Sequence, residues 1–362
     1  MGIWLLMEVK ENRNIMEIQK ELNRISLDIT EEEYFNSEEL HHSTLARYEK
    51  EGFNGLDHRF DKQESAALTK GSLLDVMLTG TREDFEREFY IAEFPVLSEK
   101  PLQVVNMLFE QYHEIYAGFS AIPAVDIINA ANVAEFQTNL KDDTRIKKLT
   151  EACSQYYNLK YLASNRAIID QKTYDKVARM AEVVRHSPAT CGYFAPNDEL
   201  SSIRRYYQLM FKATVDGVGY IIKPDLLVVD YEKKEIIPVD LKSSGKPEWD
   251  FQDSFMYWRY DLQAELYWRI LRANLDHDPY FKDFTLLDFR FIVVNQDSLT
   301  PLVWEFPYTR ALVTLTDKKG NEYRSPFEIG KELKGYLNMR PQVPAGIDKD
   351  GINKITCLEV VI

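Results

Sequence analysis

The chain has 362 residues and a formal charge of −14, from 44 lysines and arginines against 58 aspartates and glutamates. Its hydrophobic content of 45% and aromatic content of 12% exclude a disordered protein. The three cysteines lie far apart, so a disulfide scaffold, a zinc ribbon and a four-cysteine iron–sulfur site are not expected. The negative charge argues against a polyanion partner, for which a basic surface is expected.

The N-terminal apolar run Ile3–Met7 is too short for a signal sequence or a membrane span. We therefore expect a soluble, cytoplasmic protein without a membrane partner. Residues 25–46 carry no lysine or arginine but several glutamates, and we interpret them as a solvated acidic face or a mobile arm. His41-His42, within this segment, is interpreted as a surface pair. A helix is predicted to start near Ser43, which can cap it.

The first half of the chain is predicted to be mainly helical. Helical patterns cover residues 64–78 and most of 125–180, and Gly71 inside the first of these indicates close packing or a break. After residue 205 the pattern changes to β-branched and aromatic runs. Strands are predicted at 206–214, 217–230, 235–242 and 285–294, with a long helix at 251–275, a final helix at 323–336 and a short strand in the last ten residues. This order predicts an α/β layer with the helix covering one face of the sheet.

Two aspartates are predicted to meet across a hairpin. If the loop is Tyr231–Lys234, its centre places Asp225 directly opposite Asp240, with Cβ atoms about 4.5–5.5 Å apart. Lys242 lies on the same face as Asp240 by the two-residue period. A hard divalent cation bound by carboxylate oxygens would relieve the repulsion. The alternative is an ordinary salt-bridged strand end, and Pro238 fits an edge strand better than a central one.

The following helix adds a polar row. Gln263 and Tyr267 are four residues apart and share a face, with Arg259 one turn earlier. Leu262, Leu266 and Ile270 form the apolar row expected to pack on the sheet. The polar row either lines a cleft beside the aspartates or is a solvated helix face.

Together these motifs resemble the PD-(D/E)xK nuclease superfamily, in its RecB/RecE-like branch, which includes phage exodeoxyribonuclease VIII-like enzymes. The resemblance spans about residues 40–300. The residues that carry it are Lys223-Pro224-Asp225, Asp240-Leu241-Lys242, Gln263-x-x-x-Tyr267, Ser43-Thr44-Leu45, Gly71-Ser72-Leu73-Leu74-Asp75 and Val184-Arg185-His186-Ser187-Pro188-Ala189.

The resemblance implies a restriction-endonuclease-like core, a mixed central sheet flanked by helices, with a helical N-terminal elaboration. It divides the chain into an acidic arm (1–40), a mainly helical part (41–200) and the catalytic core (201–362). Two positions depart from the family pattern. Asp75 stands where this branch usually has a metal-ligating histidine, and Gln208 stands about where relatives often carry glutamate.

By the same resemblance, Mg²⁺ or Mn²⁺ is the cofactor. The residue roles it implies are catalysis by Lys242, Asp225 and Asp240, metal binding by Asp225, Asp240, the Leu241 carbonyl and Asp75, and DNA positioning by Gln263, Tyr267 and Arg259. Lys242 would orient or deprotonate the attacking water.

The implied function is a metal-dependent deoxyribonuclease, an exonuclease on linear double-stranded DNA in phage-type recombination or repair. The alternatives are an endonuclease or single-strand-specific enzyme of the same fold, and a DNA-end-binding or assembly subunit with weak or no catalysis. Implied partners are DNA, a single-strand annealing protein and further copies of the chain, in the bacterial host cytoplasm if the protein is phage-encoded. The charge of −14 predicts weak, salt-sensitive DNA binding without metal.

Overall fold

A mixed β-sheet forms the centre of the protein, and helices pack on both of its faces. The computed structural model describes residues 21–52, 65–93, 97–164, 166–307, 320 and 322–339. The helices are α1 (Glu31–Phe35), α2 (His42–Glu51), α3 (Ala66–Thr79), α4 (Arg82–Glu88), α5 (Glu99–Tyr112), α6 (Ala124–Val133), α7 (Asp142–Ala163), α8 (Gln171–His186), α9 (Cys191–Phe194), α10 (Phe251–Tyr257), α11 (Tyr260–His277) and α12 (Pro326–Met339). The strands are β1 (Phe89–Ile91), β2 (Ala167–Ile169), β3 (Ile203–Tyr207), β4 (Phe211–Val215), β5 (Val218–Ile222), β6 (Leu226–Asp230), β7 (Glu235–Ser244), β8 (Thr285–Leu286), β9 (Phe289–Asn295) and β10 (Leu302–Phe306).

The central sheet has the order β10-β9-β7-β6-β3, and β8 also pairs with β7. Strands β7 and β9 are parallel, whereas β6 is antiparallel to both β3 and β7. Strands β4 and β5 form a separate hairpin, and β1 and β2 a short parallel pair. The predicted fold class, a mixed sheet flanked by helices with a helical N-terminal elaboration, is confirmed.

The hairpin register is the one predicted from the sequence. Leu226 pairs with Val239 and Asp230 with Glu235, around a turn at residues 231–234. The strand predicted at 217–230 is instead two strands in different sheets, interrupted by Lys223-Pro224-Asp225. Proline cannot donate to a ladder, so the chain leaves one sheet and enters the other at this point.

Pro238 lies in a central strand without breaking it. The Leu241 N–H points toward β6, where it donates to Asp225, so position 238 points to the opposite edge of β7. On that edge β8 pairs with residues 235–236 and β9 with residues 239–244. Pro238 therefore falls in the gap between these two partners, where no ladder donor is needed.

The long helix predicted at 251–275 is interrupted. Helix α10 ends at Tyr257, and α11 begins at Tyr260. Between them Arg259 adopts a left-handed backbone conformation, with φ of 55°. A non-glycine residue in this region breaks the helical path, so α11 follows a new direction.

Each sheet face has its own apolar core. One face packs against α2, α11, α12 and the β4–β5 hairpin, and the predicted apolar row of Leu262, Leu266 and Ile270 is fully buried there. The other face packs against α3 and α8. Helices α5, α6 and α7 enclose a third core of their own. Gly71 is not a break, because α3 continues through it beside Ser243.

The N-terminal segment differs from the expected solvated or mobile arm. Leu22, Tyr34 and Leu40 are buried, and Leu40 bridges to Tyr220 of β5. The expected surface pair His41-His42 is wrong, because His41 is buried and the imidazole of His42 is turned inward. Four of its glutamates (Glu31, Glu32, Glu33 and Glu38) are exposed while Leu22, Tyr34 and Leu40 complete the core, which net charge alone could not reveal. The strand predicted in the last ten residues lies outside the described residues.

None of the helices in the described ranges is both long and apolar enough to cross a membrane. The three-part division of the chain remains a prediction.

Candidate active site

Asp225, just before β6, and Asp240, within β7, lie near each other at the end of β6 that is remote from the hairpin turn. Asp225 directly precedes β6, and its Oδ2 atom accepts a hydrogen bond of 2.7 Å from the Leu241 N–H. Its Oδ1 atom accepts one of 3.2 Å from the side chain of Gln208, whose backbone N–H also donates to the Asp225 carbonyl. Asp225 is thus fixed by the strand that carries Asp240.

Asp240 is 2% exposed, and its two carboxylate oxygens have different partners, an ion pair for Oδ2 and a hydrogen bond for Oδ1. Lys242 Nζ lies 2.5 Å from Oδ2, and Gln263 Nε2 donates to Oδ1 over 2.5 Å. Burial raises the pKa of Asp240 to about 7, although the charge of Lys242 opposes this rise. Both donors are predicted site residues, and the structure brings them together on one carboxylate.

Lys242 lies between a carboxylate and an aromatic ring. Its Nζ atom is 4.6 Å from the ring centroid of Tyr260, the first residue of α11. Burial is the largest single influence and lowers the pKa of Lys242, but Asp240, Tyr260 and Asp225 together outweigh burial and the pKa is raised. The lysine is therefore held as a cation, which suits charge stabilisation better than proton abstraction.

Asp75 of α3 joins this group through its charge. Burial raises its pKa well above the ordinary value, and the charges of Asp225 and Asp240 raise it further. Such mutual repulsion between carboxylates is the condition that a divalent cation relieves. Within the described residues, however, no three histidine, cysteine or acidic side chains lie close enough together to bind a metal ion as they stand.

Tyr267 connects the site to helix α1. It is 7% exposed, and the side chains of Gln263 and Tyr34 are close enough to influence its pKa. Burial raises the pKa of both tyrosines, so both remain neutral phenols. Gln263 and Tyr267 are therefore buried side chains, with Gln263 hydrogen-bonded to Asp240, rather than a row facing open solvent.

Arg259 is not on the face predicted for it. It lies outside α11, because its left-handed backbone conformation directly precedes the first residue of that helix, and its side chain points into an ion-pair network. The guanidinium contacts Asp261 at 3.0 Å, Glu49 at 3.1 Å and the Arg324 carbonyl at 2.9 Å. The row that included Arg259 assumed one continuous helix, and that assumption was wrong.

Sequence reasoning missed several residues that meet at this site. The imidazole of His42 is hydrogen-bonded to the Arg259 backbone, and its Nε2 atom is buried without a hydrogen-bond partner in the described structure. Burial, together with the charge of Lys242, lowers its pKa to about 3. Lys223 Nζ contacts Glu31 at 2.6 Å and lies 5.6 Å from the ring of Tyr34. These contacts join distant parts of the chain, and no local pattern indicates them.

No family model matches the chain, and no curated protein matches it. Among the solved structures to which the chain is similar is one from Eubacterium rectale, described as a "putative exonuclease", at 14% identity. That match covers 86% of this chain and 84% of the other, with a TM-score of 0.37. Similarity at this level supports no functional assignment, so the function is argued from the geometry of the site.

Proposed function

We propose that the protein is a divalent-metal-dependent nuclease that hydrolyses DNA phosphodiester bonds. The observation that carries this proposal is the arrangement of Asp225, Asp240 and Lys242 at one end of the β6–β7 hairpin. The charges of Asp225 and Asp240 also act on the nearby Asp75. Three aspartates close together suit the binding of Mg²⁺ or Mn²⁺, which prefer oxygen ligands, and the neighbouring Lys242 suits an anionic substrate.

Asp225 and Asp240 would hold the metal, with Asp75 and the Leu241 carbonyl as further oxygen donors. The Leu241 N–H faces Asp225, and a strand residue directs its N–H and carbonyl toward the same edge. A bound metal supplies an acidic water and stabilises charge on a phosphate. Gln263 would keep Asp240 oriented, and Gln208 would do the same for Asp225.

The ammonium group of Lys242 would stabilise the negative charge on the scissile phosphate. In the structure its charge is directed at Asp240, at 2.5 Å. A cation bound to Asp240 would replace that partner and leave the ammonium group to face the substrate. Because its pKa is raised, Lys242 would stabilise the phosphate charge rather than abstract a proton from water.

The finer assignment is an exonuclease on linear double-stranded DNA in phage-type recombination, with a single-strand annealing protein and further copies of the chain as partners. The sequence resemblance supports this choice. A second candidate is a DNA-end-binding or assembly subunit with weak catalysis. It is favoured by the protein donors that already satisfy Asp225 and Asp240, and by the lack of a ready three-residue metal group in the described part of the chain.

A cleavage assay with end-labelled linear DNA and closed circular DNA, with Mg²⁺ or Mn²⁺, separates these functions. We expect loss of linear DNA only, which Lys242→Ala should abolish. Lys233→Ala is the matched control, because Lys233 lies in the turn at the opposite end of the hairpin and its side chain is 68% exposed. If neither DNA is cut with either metal, the enzyme proposal fails and the binding subunit remains. Cutting of circular DNA would identify an endonuclease.

A further inference from the structure

Two consecutive aromatic side chains are exposed beside the candidate active site. Tyr257 is 71% exposed and Trp258 is 50% exposed, at the end of helix α10. Their rings meet edge to face, with centroids 4.8 Å apart and an interplanar angle of 90°. We call this pair the aromatic platform. Side chains of this size are usually buried, so an exposed pair indicates a binding surface.

The platform is anchored by the opposite side of its own helix. Phe251 is 2% exposed, and both Phe251 and Phe255 lie 5.6 Å from the ring of Phe291 in the sheet core. The residue that follows the platform is fixed as well, because Arg259 forms ion pairs with Asp261 and Glu49. The exposed rings therefore project from a rigid support rather than from a loose loop.

The platform is close to the candidate catalytic lysine. Tyr260 follows Trp258 by two residues, and two residues span at most about 7 Å. The Tyr260 ring lies 4.6 Å from Lys242 Nζ. A nucleotide next to the scissile phosphate would thus come within reach of Trp258.

The charges around the platform suit a nucleic-acid strand. Lys50 Nζ lies 5.4 Å from the centroid of the Trp258 ring, and the exposed Lys246 reaches helix α10, where its Nζ atom lies 3.8 Å from Asp253. Aromatic rings that stack on bases, next to cations that contact phosphates, are the combination that binds unpaired strands. In a duplex, base faces are covered by their neighbours, so stacking on Trp258 requires an unpaired base or a frayed end.

We propose that Tyr257 and Trp258 bind unpaired bases of a DNA strand that enters the active site. This inference rests on the proposed nuclease function for its location, and it defines the substrate more closely: a single-stranded end or a frayed duplex end. The surface would bind a strand whether or not the strand is then cut.

Binding is tested with fluorescein-labelled single-stranded and blunt-ended duplex oligonucleotides, in EDTA so that no cleavage occurs. We expect the double variant Tyr257→Ala, Trp258→Ala to lose about 10- to 100-fold in single-strand affinity. Blunt-duplex affinity should change less than twofold. Trp258→Phe should retain most of the binding, because a phenyl ring still stacks. Tyr161→Ala is the control, since Tyr161 is 47% exposed on the distant helix α7.

Unchanged single-strand affinity of the double variant would overturn the proposal, as would an equal loss on both oligonucleotides. If the variant instead loses self-association and keeps oligonucleotide binding, the platform is an interface between copies of the chain and the proposal fails. The binding result is independent of the cleavage assay. If the parent protein cuts no DNA but the double variant loses strand binding, this inference stands and the nuclease proposal fails. If the parent protein cuts DNA but the double variant binds strands as well as the parent, the nuclease proposal stands and this inference fails.

Discussion

The side-chain amide of Gln263 donates a hydrogen bond of 2.5 Å to Oδ1 of Asp240 and so joins helix α11 to strand β7. The contact lies between two groups that are both almost fully buried. The other carboxylate oxygen of Asp240, Oδ2, forms an ion pair with Lys242. The orientation of Asp240 therefore depends on two residues from different elements.

We expect Gln263→Ala to destabilise the protein, because it leaves Asp240 Oδ1 buried without a donor. Loss of one partner of a buried hydrogen bond costs about 1–3 kcal/mol in the free energy of unfolding. Urea unfolding without metal measures this. The variant should also need more Mg²⁺ for half-maximal cleavage, because Asp240 is less well oriented. Gln171→Ala, at an exposed helix position, is the control. Equal stability of Gln263→Ala and the parent protein would contradict the prediction.

Asp75→Asn should raise stability in the absence of metal. Because the folded pKa of Asp75 is raised, its contribution to stability is present at low pH and is lost as the pH rises and the group ionises in the fold. Removing the charge at pH 7 therefore shifts the urea midpoint upward. The same change should weaken the stabilisation by Mg²⁺, because one oxygen donor has lost its charge.

Asp143→Asn, at an exposed position on α7, serves as the control for Asp75→Asn. If Asp75→Asn lowers metal-free stability, Asp75 is not repelled by its neighbours. If Mg²⁺ stabilises the variant as much as the parent protein, Asp75 is not a metal ligand.

His42 should make the protein sensitive to mild acid. Its pKa is lowered from 6.5 to about 3 by burial and by Lys242. Stability from a lowered pKa is fully present above 6.5 and is lost as the pH falls toward 3, because only the unfolded chain binds the proton. The slope contributed is at most about 1.4 kcal/mol per pH unit.

Urea unfolding at pH 7, 6 and 5 checks the effect of His42, with His42→Gln expected to show a shallower loss of stability. His186→Gln is the control, since the side chain of His186 is 71% exposed. Parallel curves for His42→Gln and the parent protein would show that His42 is not held neutral in the fold.

Arg259→Ala should act on stability rather than on DNA contact. The substitution leaves the buried Asp261 without its ion-pair partner, a loss on the order of 3–5 kcal/mol, whereas Glu49 keeps its ion pair with Arg324. Thermal unfolding measures this change, and anisotropy titration with DNA at a temperature where the variant is folded measures binding. Reduced DNA affinity at unchanged stability would instead restore the DNA-positioning role.

The sequence by itself determined the hairpin that carries the candidate site. The short turn and the two-residue period of β-strands are local rules, so the register that brings Asp225 next to Asp240 was predicted correctly. The apolar row of α11 was predicted for the same reason, because helical periodicity needs only neighbouring residues.

Only the tertiary structure decided what surrounds that hairpin. The left-handed backbone at Arg259 has no sequence signature, since glycine or asparagine would be expected there, and it redirected Arg259 into an ion-pair network. His42 and Tyr34 reach the site from a segment whose charge suggested a solvated arm. Net charge sums the whole chain, whereas burial depends on which side chains face inward. The charge of −14 thus described the surface of the protein and said nothing of the cationic lysine held among the carboxylates at its centre.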